Sequence, residues 1–533
     1  MAVHADAFRI NSGAYLRAIA WRIRGLRVRS RSHISMLASH SPRVYDLWIA
    51  RDEPRAVAAV KAAVDRHTAI PVLPVIDCRE GSDGLEETLR SLRSACASSA
   101  AILIGGPATA GTIGIEVPAE LARLMDAGET WLCLLRPGDR LAGGAFTIYA
   151  GAAEIAGEAG LIYADDDLLS PAGKRCAPHF KPGWNPDLFE HHDFLTGSCI
   201  VRVSKDELVR VEGDRWEQTL IGRAALRKTG PLHLPLVLHH RRCRPEPIVP
   251  GMPQLLLPDD VPTVTAIVPT RNHAELLRSC IEGLRRTAYP GLEILIVDNG
   301  SDEPNAVAYL EALKQDGISV LSIPGPFNFS ALNNSAVKQA LGEMLCFLNN
   351  DVEMVDQDWL ALLVRQAVRP DIGAVGARLL YPDGTIQHAG VFVGIGGAAG
   401  HGHRLQSADA SGYFERARLP QRVSAVTAAC MVVSREKFEA VGGFDEKDFG
   451  VAFNDVDLCM KLNDRGWTSF YEPRATLIHH ESKSRGCDRS ESNRDRFAAE
   501  LSALKRKWQT DKRRDPYHHP QLSRMSEQFL IEI

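Results

Sequence analysis

Cys346-Phe347-Leu348-Asn349-Asn350-Asp351 reads as the end of an apolar strand, Met344 to Leu348, that breaks off into two amides and a carboxylate. Two other apolar runs end the same way. Val264 to Val268 runs into Pro269-Thr270-Arg271-Asn272, and Leu292 to Val297 runs into Asp298-Asn299-Gly300-Ser301. Open α/β sheets bind ligands outside the carboxyl ends of their strands, so three polar strand ends point to one crevice. A carboxylate placed there can hold a divalent ion on a diphosphate.

The elements that must position these groups alternate. Ala274 to Thr287 has helical periodicity, with Leu276, Leu277, Cys280, Ile281 and Leu284 on one side. Helices are expected over Glu303 to Lys314 and Phe329 to Leu341, and a strand over Ile318 to Ile323. This βαβαβ order predicts a parallel sheet with right-handed crossovers. Beyond Asp351, Pro382-Asp383-Gly384 marks a hairpin, and the glycine-rich run Gly394 to Gly402 reads as a mobile loop beside the site.

A proline-rich connector, Arg244 to Pro262, divides the chain into two similar lengths. The first half repeats the order more weakly. It has strands at Pro71 to Asp77, Ala101 to Ile104, Trp131 to Leu135 and Leu161 to Asp167, with a helix at Leu85 to Ser94. Similar order one domain apart predicts an internal duplication. With 533 residues the chain exceeds one core. A net charge of −4 argues against bulk nucleic-acid binding. The 11 cysteines are scattered without a C-x-x-C pair, as in a cytosolic protein with reduced thiols. No apolar run is long enough to span a bilayer, and no secretory h-region opens the chain.

Between Asp6 and Asp46 there is no acidic residue, while Arg9, Arg17, Arg22, Arg24, Arg27, Arg29, Arg31 and Arg43 fall there. Leu16, Ile19, Ile23 and Leu26 recur at helical spacing. One reading is a basic amphipathic helix on an anionic membrane surface. The other is a solvated arm or a helix packed on its own protein, since the stripe is short and Gly25 interrupts it.

Ala266-Ile267-Val268-Pro269-Thr270-Arg271-Asn272, Ile296-Val297-Asp298-Asn299-Gly300-Ser301 and Leu348-Asn349-Asn350-Asp351, in that order, resemble the family-2 glycosyltransferases of the GT-A fold. Gly442-Gly443-Phe444-Asp445-Glu446, Phe453-Asn454-Asp455-Val456-Asp457-Leu458-Cys459 and His479-His480-Glu481-Ser482 are similar to that family's acceptor-side and base segments. The resemblance spans residues 262 to 515. It implies that Asp298, with the backbone around Pro269 and Thr270, meets the nucleobase of a nucleotide-sugar. Arg271, Asn272, Asn299, Ser301, Asn333, Asn349 and Asn350 join the donor side, and Asn334 lies beside Asn333. Asp351 is implied to coordinate Mg2+ or Mn2+ on the diphosphate. Where the family commonly has Asp-x-Asp, this chain has Asn349-x-Asp351, which keeps an oxygen and loses a charge. His479 or His480 completes the metal shell, with His479 preferred. Asp455 is implied to be the general base and Asp457 the competing candidate; helix N-terminal charge is the alternative for both. Trp359 and Trp467 are candidates for sugar stacking, although core packing is the commoner fate of tryptophan.

The first half resembles the same family more faintly, through Tyr163-Ala164-Asp165-Asp166-Asp167 and Ala177-Pro178-His179-Phe180-Lys181-Pro182-Gly183-Trp184-Asn185-Pro186-Asp187-Leu188. Gly105-Gly106 stands where the family has its nucleoside Asp, and Arg136-Pro137-Gly138-Asp139 where it has its metal motif. An arginine does not bind a metal but can pair with a phosphate. This half is therefore expected to be a degenerate domain kept for packing or acceptor binding. Asp165 to Asp167 are either chemical or an acidic turn.

The expected architecture is two tandem α/β, GT-A-like domains with mostly parallel sheets. A basic segment occupies 1–45, the degenerate domain 46–243, the linker 244–262, the glycosyltransferase domain 263–515 and a tail 516–533. The expected activity is inverting, metal-dependent transfer of a hexosyl or rhamnosyl unit from a nucleotide-sugar to a glycan or lipid-linked glycan. The setting is synthesis of bacterial surface polysaccharide such as O-antigen or capsule. It takes place in the cytoplasm, with peripheral contact to the inner face of the membrane through the basic segment. The rival readings are a nucleotide-sugar-binding protein without turnover and a scaffold of a polysaccharide assembly complex.

Overall fold

The computed structural model describes residues 2–25, 27–64, 67, 70–125, 128–211, 213–253, 261–481 and 491–532. Leu26, the 254–260 stretch of the connector with Pro258, and Ser482 lie outside the described residues. Two large mixed sheets dominate. The first runs, edge to edge, Thr112–Ile115, Ala101–Ile104, Val72–Asp77, Glu129–Leu135, Cys199–Ser204, Leu161–Leu169, Leu232–Arg241 and Arg140–Leu141. The second runs Ser319–Ser322, Leu292–Asp298, Val264–Thr270, Met344–Leu348, Cys430–Ser434, Ile372–Leu380, Thr468–His479 and Val352–Met354.

Strand for strand these are one topology used twice. In each sheet the first four strands are parallel, the fifth is antiparallel to its neighbours on both sides, and the sixth and seventh are again parallel to each other. The expected duplication and parallel βαβαβ order are both present; the antiparallel strands are what the sequence pattern did not reveal. Val264–Thr270 is buried at every position, which is why it reads as a continuous apolar run rather than an alternating one. Helices Ala274–Arg286, Pro304–Gln315 and Phe329–Val337 fall close to their expected ranges.

The basic N-terminal segment is three helices, Ala2–Ile10, Ser12–Ile23 and Arg27–Ala38, rather than one. Asn11 separates the first two by accepting the N–H of Ala14 as a cap. Small residues close their packing, Ala7 and Ala14 against Leu37 and Ala38, and Leu16 and Ile23 are left 56% and 82% exposed. No helix among the described residues is long and apolar enough to cross a membrane.

The two halves share a core. Tyr45, Trp48, Phe180 and Val237 from the first half belong to the same buried cluster as Phe392, Tyr471, Leu522 and Phe529 from the second. The segment from Ala177 to Leu188, which resembles a family segment, forms this junction. Asn185 caps helix Pro186–His191, and its amide also donates to the Arg422 carbonyl at 2.9 Å. Asp187 accepts from Arg369 at 2.6 Å and from Arg422 at 2.7 Å. The C-terminal tail crosses the junction, with the Gly183 N–H donating to the Pro516 carbonyl.

The tail also corrects the expectation of a mobile glycine loop. Val391–Val393 and Ala399–His401 form a hairpin around the short 3-10 turn Ile395–Gly397. The hairpin is tied down by Val393 N–H to Asp515 Oδ2 at 2.6 Å, Gly396 N–H to the Arg524 carbonyl at 2.7 Å and His401 N–H to Glu527 Oε1 at 3.0 Å.

Candidate active site

The donor-side strands end in register. Thr270 lies opposite Asp298 across one parallel pair. Asp298 Oδ1 accepts the N–H and the hydroxyl of Ser301, at 2.9 and 2.6 Å, which folds the loop back over the strand end. Asn272 has a left-handed backbone, φ 59°, and its side-chain oxygen accepts the N–H groups of Asp302 and Glu303 at the start of the next helix. Asn299 donates to the Ile323 carbonyl, and Asn350 donates to the Thr270 hydroxyl at 3.0 Å, joining the first strand end to the third. Arg271 is exposed and Pro269 is buried. Asn333 is fully buried and donates to the Phe329 carbonyl of its own helix. Asn334 is spent on Phe444 and Glu446. Trp359 is in the core, its ring N–H on Thr287.

Beside these ends lies a cleft of about 380 Å3 lined by Asn349, Asp351, Thr427, Asp455, His479 and Glu481, among others. These six residues come from four parts of the second half. Asp351 is buried at its strand end. His479 closes the long strand Thr468–His479, where it pairs with Val352, the residue after Asp351. This places His479 Nε2 3.0 Å from Asp351 Oδ1. His480, the next residue, points its ring to Glu353 at 3.2 Å, while its backbone N–H donates to the Asp351 carbonyl. Of the two histidines, the structure brings the ring of His479 to the carboxylate.

Asp455 and Asp457 both start helix Asn454–Asp464, but residues two apart on a helix lie about 200° apart around it. Asp455 faces the cleft. Its carboxylate accepts the N–H groups of Val456, at 2.8 Å, and Ala428, at 3.2 Å. Burial pushes its carboxyl above the usual range, and those N–H donors with the Thr427 hydroxyl temper the rise. Asp457 faces the other way, fully buried, taking Lys507 Nζ at 2.7 Å and the Trp508 ring N–H at 2.8 Å.

Asp351 and His479 fit a divalent ion. One carboxylate oxygen and one imidazole nitrogen suit Mg2+ or Mn2+, and their separation matches the roughly 3.0 Å between neighbouring ligands of an octahedral ion bound at about 2.1 Å. Such ions usually take few protein ligands and complete their shell with phosphates and water, so a two-residue site is no obstacle.

Among the described residues, the group of three with ligand-like spacing lies elsewhere: Asp165, His233 and His519. Here the chemistry favours hydrogen bonds. His519 Nδ1 accepts the Gln521 N–H, which places the ring proton on Nε2, 2.8 Å from Asp165 Oδ2. Asp165 to Asp167 sit within strand Leu161–Leu169, not in a turn, and each is buried and ion-paired. Burial alone would raise the Asp166 carboxyl, but Lys181, Arg244 and Arg241 bring it well below the usual range. Asp167 takes Arg175 at 2.6 Å and His240 at 2.8 Å. These three carboxylates tie Tyr45, the linker residue Arg244 and the tail residue His519 to the first sheet.

Sequence reasoning missed Glu217. It is the second residue of helix Trp216–Ala225, the position Asp455 holds in the second half. It is buried, with Arg136 3.7 Å away where the second half has Asn349. The shared spacing Trp216-Glu217-x-x-Leu220 and Asn454-Asp455-x-x-Leu458 was the available signal. Gln387, which bonds His479, was missed as well, and nothing in its sequence context marks it.

Residues 265–442 match the family model for glycosyl transferase family 2. An uncharacterized protein, y4gI, of Sinorhizobium fredii is 38% identical over 421 residues, covering 70% of this chain and 46% of that protein. The O-antigen biosynthesis protein RfbC of Myxococcus xanthus is 34% identical over 552 residues, covering 90% of this chain and 42% of RfbC. An N-acetylglucosaminyl-diphospho-decaprenol L-rhamnosyltransferase of Mycobacterium tuberculosis is 27% identical over 216 residues, covering 37% of this chain and 69% of the enzyme. The chain thus spans less than half the length of the first two relatives. The strand ends bearing Thr270, Asp298 and Asp351 lie inside the matched segment, and by sequence the second half resembles the family-2 glycosyltransferases.

Proposed function

We propose that the second half transfers a sugar from a nucleotide-sugar to a glycan acceptor during synthesis of a surface polysaccharide. The observation that carries this reading is the cleft in which Asp351, His479 and Asp455 meet, next to a donor-side crevice in a segment matching glycosyl transferase family 2. The similarity to RfbC supports the polysaccharide setting. The decaprenol-linked acceptor in the name of the mycobacterial relative supports a lipid-linked acceptor.

In this reading Asp298, Thr270 and Pro269 receive the nucleoside, and the loop of Asn272, Asn299 and Ser301 shapes their edge. Asn349 and Asn350 border the diphosphate. Asp455 takes the proton of the acceptor hydroxyl as its oxygen attacks the anomeric carbon. The bond from that carbon to the phosphate oxygen breaks on the opposite face, so the configuration inverts and the nucleoside diphosphate leaves. A raised carboxyl pKa makes Asp455 the stronger base. Mg2+ or Mn2+ held by Asp351 and His479 would stabilise the charge on the leaving diphosphate as a Lewis acid. Asp457, committed to Lys507 and Trp508, has a supporting place in the helix. The acceptor lipid would be met at the inner membrane face through the three N-terminal helices, where Leu16 and Ile23 are exposed beside Arg17 and Arg24.

The test is a screen of nucleotide-sugars for thermal stabilisation in Mn2+. A ligand present at about 100 times its Kd and bound only by the folded state adds about 2.7 kcal/mol. Stabilisation by one donor class, with release of its nucleoside diphosphate when an acceptor is supplied, is the expected result. A protein that no nucleotide-sugar stabilises would overturn the proposal.

A further inference from the structure

Behind His479 lies a polar relay that the transfer chemistry does not itself require. Gln387 sits on the short strand Ile386–His388, buried, with its side chain between two groups of the site. Its amide nitrogen donates to Glu481 Oε2 at 3.2 Å, and its amide oxygen lies 2.7 Å from His479 Nδ1. The orientation follows from chemistry. An ionised carboxylate only accepts, so the NH2 end of Gln387 must face Glu481 and the oxygen must face the ring. An amide oxygen in turn only accepts, so Nδ1 carries the ring proton.

On the other side of the ring, Nε2 stands 3.0 Å from Asp351 Oδ1 and 3.2 Å from the Asn349 amide. With the proton of the neutral ring on Nδ1, the lone pair is on Nε2, so a divalent ion at this end would meet it together with the Asp351 carboxylate.

We infer that Gln387, held by Glu481, is a positioning residue that locks His479 as the Nε2-ligating tautomer and so sets the affinity of the Asp351–His479 site for its divalent ion. The inference rests on the metal-site reading above. It has particular weight in this chain because Asn349 contributes no charge: with one carboxylate in the pair, the site depends more on a correctly presented imidazole. Residues that orient a ligating histidine through its second nitrogen typically account for 10- to 100-fold in metal affinity.

The experiment is Mn2+ binding to the full chain with a nucleoside diphosphate present, read by the EPR signal of free Mn2+ and by the 14N hyperfine coupling of bound Mn2+. Neither readout depends on turnover. Gln387→Met keeps the shape and removes the acceptor. It should weaken Mn2+ binding about 10- to 100-fold and diminish the 14N coupling. Gln387→Glu, made together with Glu481→Gln to avoid facing carboxylates, restores an acceptor at Nδ1 and should recover both signals. Circular dichroism of each variant confirms folding. If Asp351→Asn abolishes Mn2+ binding while Gln387→Met binds as the wild type does, the relay is refuted and the metal site stands. If Asp351→Asn leaves Mn2+ binding unchanged, the metal-site reading fails, and the relay with it.

Discussion

The division of labour between Asp455 and Asp457 can be tested by a pair of substitutions whose effects should be opposite in kind. Asp455→Asn keeps an oxygen for the Val456 N–H, which bonds Oδ1, while the Ala428 N–H on Oδ2 loses its acceptor, a cost of about 1–3 kcal/mol at the helix start. It removes the proton acceptor. General-base catalysis contributes about 10²- to 10⁴-fold, so transfer by the folded variant should fall by that factor, whatever the modest loss in melting temperature. Asp457→Asn removes a buried charge that holds Lys507 at 2.7 Å and Lys461 at 3.4 Å while sparing the bond from Trp508. Hydrogen bonds to charged groups contribute about 1.5–3 kcal/mol. Lys507 is about one-third exposed and can fall back on Asp445, 3.1 Å away, which lowers the expected loss to about 1–2 kcal/mol. For a domain of this size that is a drop of about 2–8 °C in Tm, with catalysis nearly intact. The assays are release of nucleoside diphosphate from the donor found by thermal screening, and a denaturation curve for each variant. Asp457→Asn losing a hundredfold in rate at unchanged Tm, or Asp455→Asn transferring at near the wild-type rate, would refute the assignment.

Two further outcomes follow from the first half. Burial pushes the Glu217 carboxyl up to about 7, against an ordinary value of 4.5. The folded state thus holds a proton that the unfolded state releases, and stability from this group is full below about pH 4.5 and is lost as pH rises through about 7. Glu217→Gln should abolish that slope and leave the variant relatively more stable above pH 7, by as much as about 3 kcal/mol; urea midpoints at pH 5 and pH 8 that shift equally in both proteins would contradict it. At the N-terminus, replacing Arg17 and Arg24 with Ala should weaken binding to phosphatidylserine vesicles about 30-fold, at roughly 1 kcal/mol per arginine. Equal sedimentation of the variant and the wild type with such vesicles would remove the membrane reading.

The strand ends were legible because burial on both faces makes parallel strands read as unbroken apolar runs, so Asp298 and Asp351 stand out where the runs stop. The duplication was legible for the same reason. The two aspartates of helix Asn454–Asp464 could be separated only by helical phase, and the sequence held a clue in Lys461, four residues after Asp457, where a helical ion pair belongs. The role of His519 was beyond reach. Its partner Asp165 lies in the other half of the chain, and nothing local in the tail indicates a buried carboxylate at that distance. The glycine run was misread because composition reports the freedom of the backbone but not what covers it; here the covering residues, Asp515, Arg524 and Glu527, come from the C-terminal tail.

The two sheets allow the same positions to be compared in two states of electrostatic closure. In the first half Arg136 stands in place of Asn349 and sits 3.7 Å from Glu217, the counterpart of Asp455. His240, which pairs with Arg140 as His479 pairs with Val352, is 2.8 Å from Asp167. Gly105 replaces the nucleoside-side Asp298. Arg136 faces Glu217 and His240 faces Asp167, so charges at these strand ends meet other residues of the chain, although burial still outweighs Arg136 at Glu217. In the second half the corresponding positions, Asn349, Asp455 and His479, open on a cleft with room for a ligand. A pocket completed by its own arginine has no need of a cation and a diphosphate, whereas one lined by a carboxylate and an imidazole beside a cleft gains from both. Under the proposed function, the difference between the two halves of a fold used twice comes down to which partner meets the strand ends.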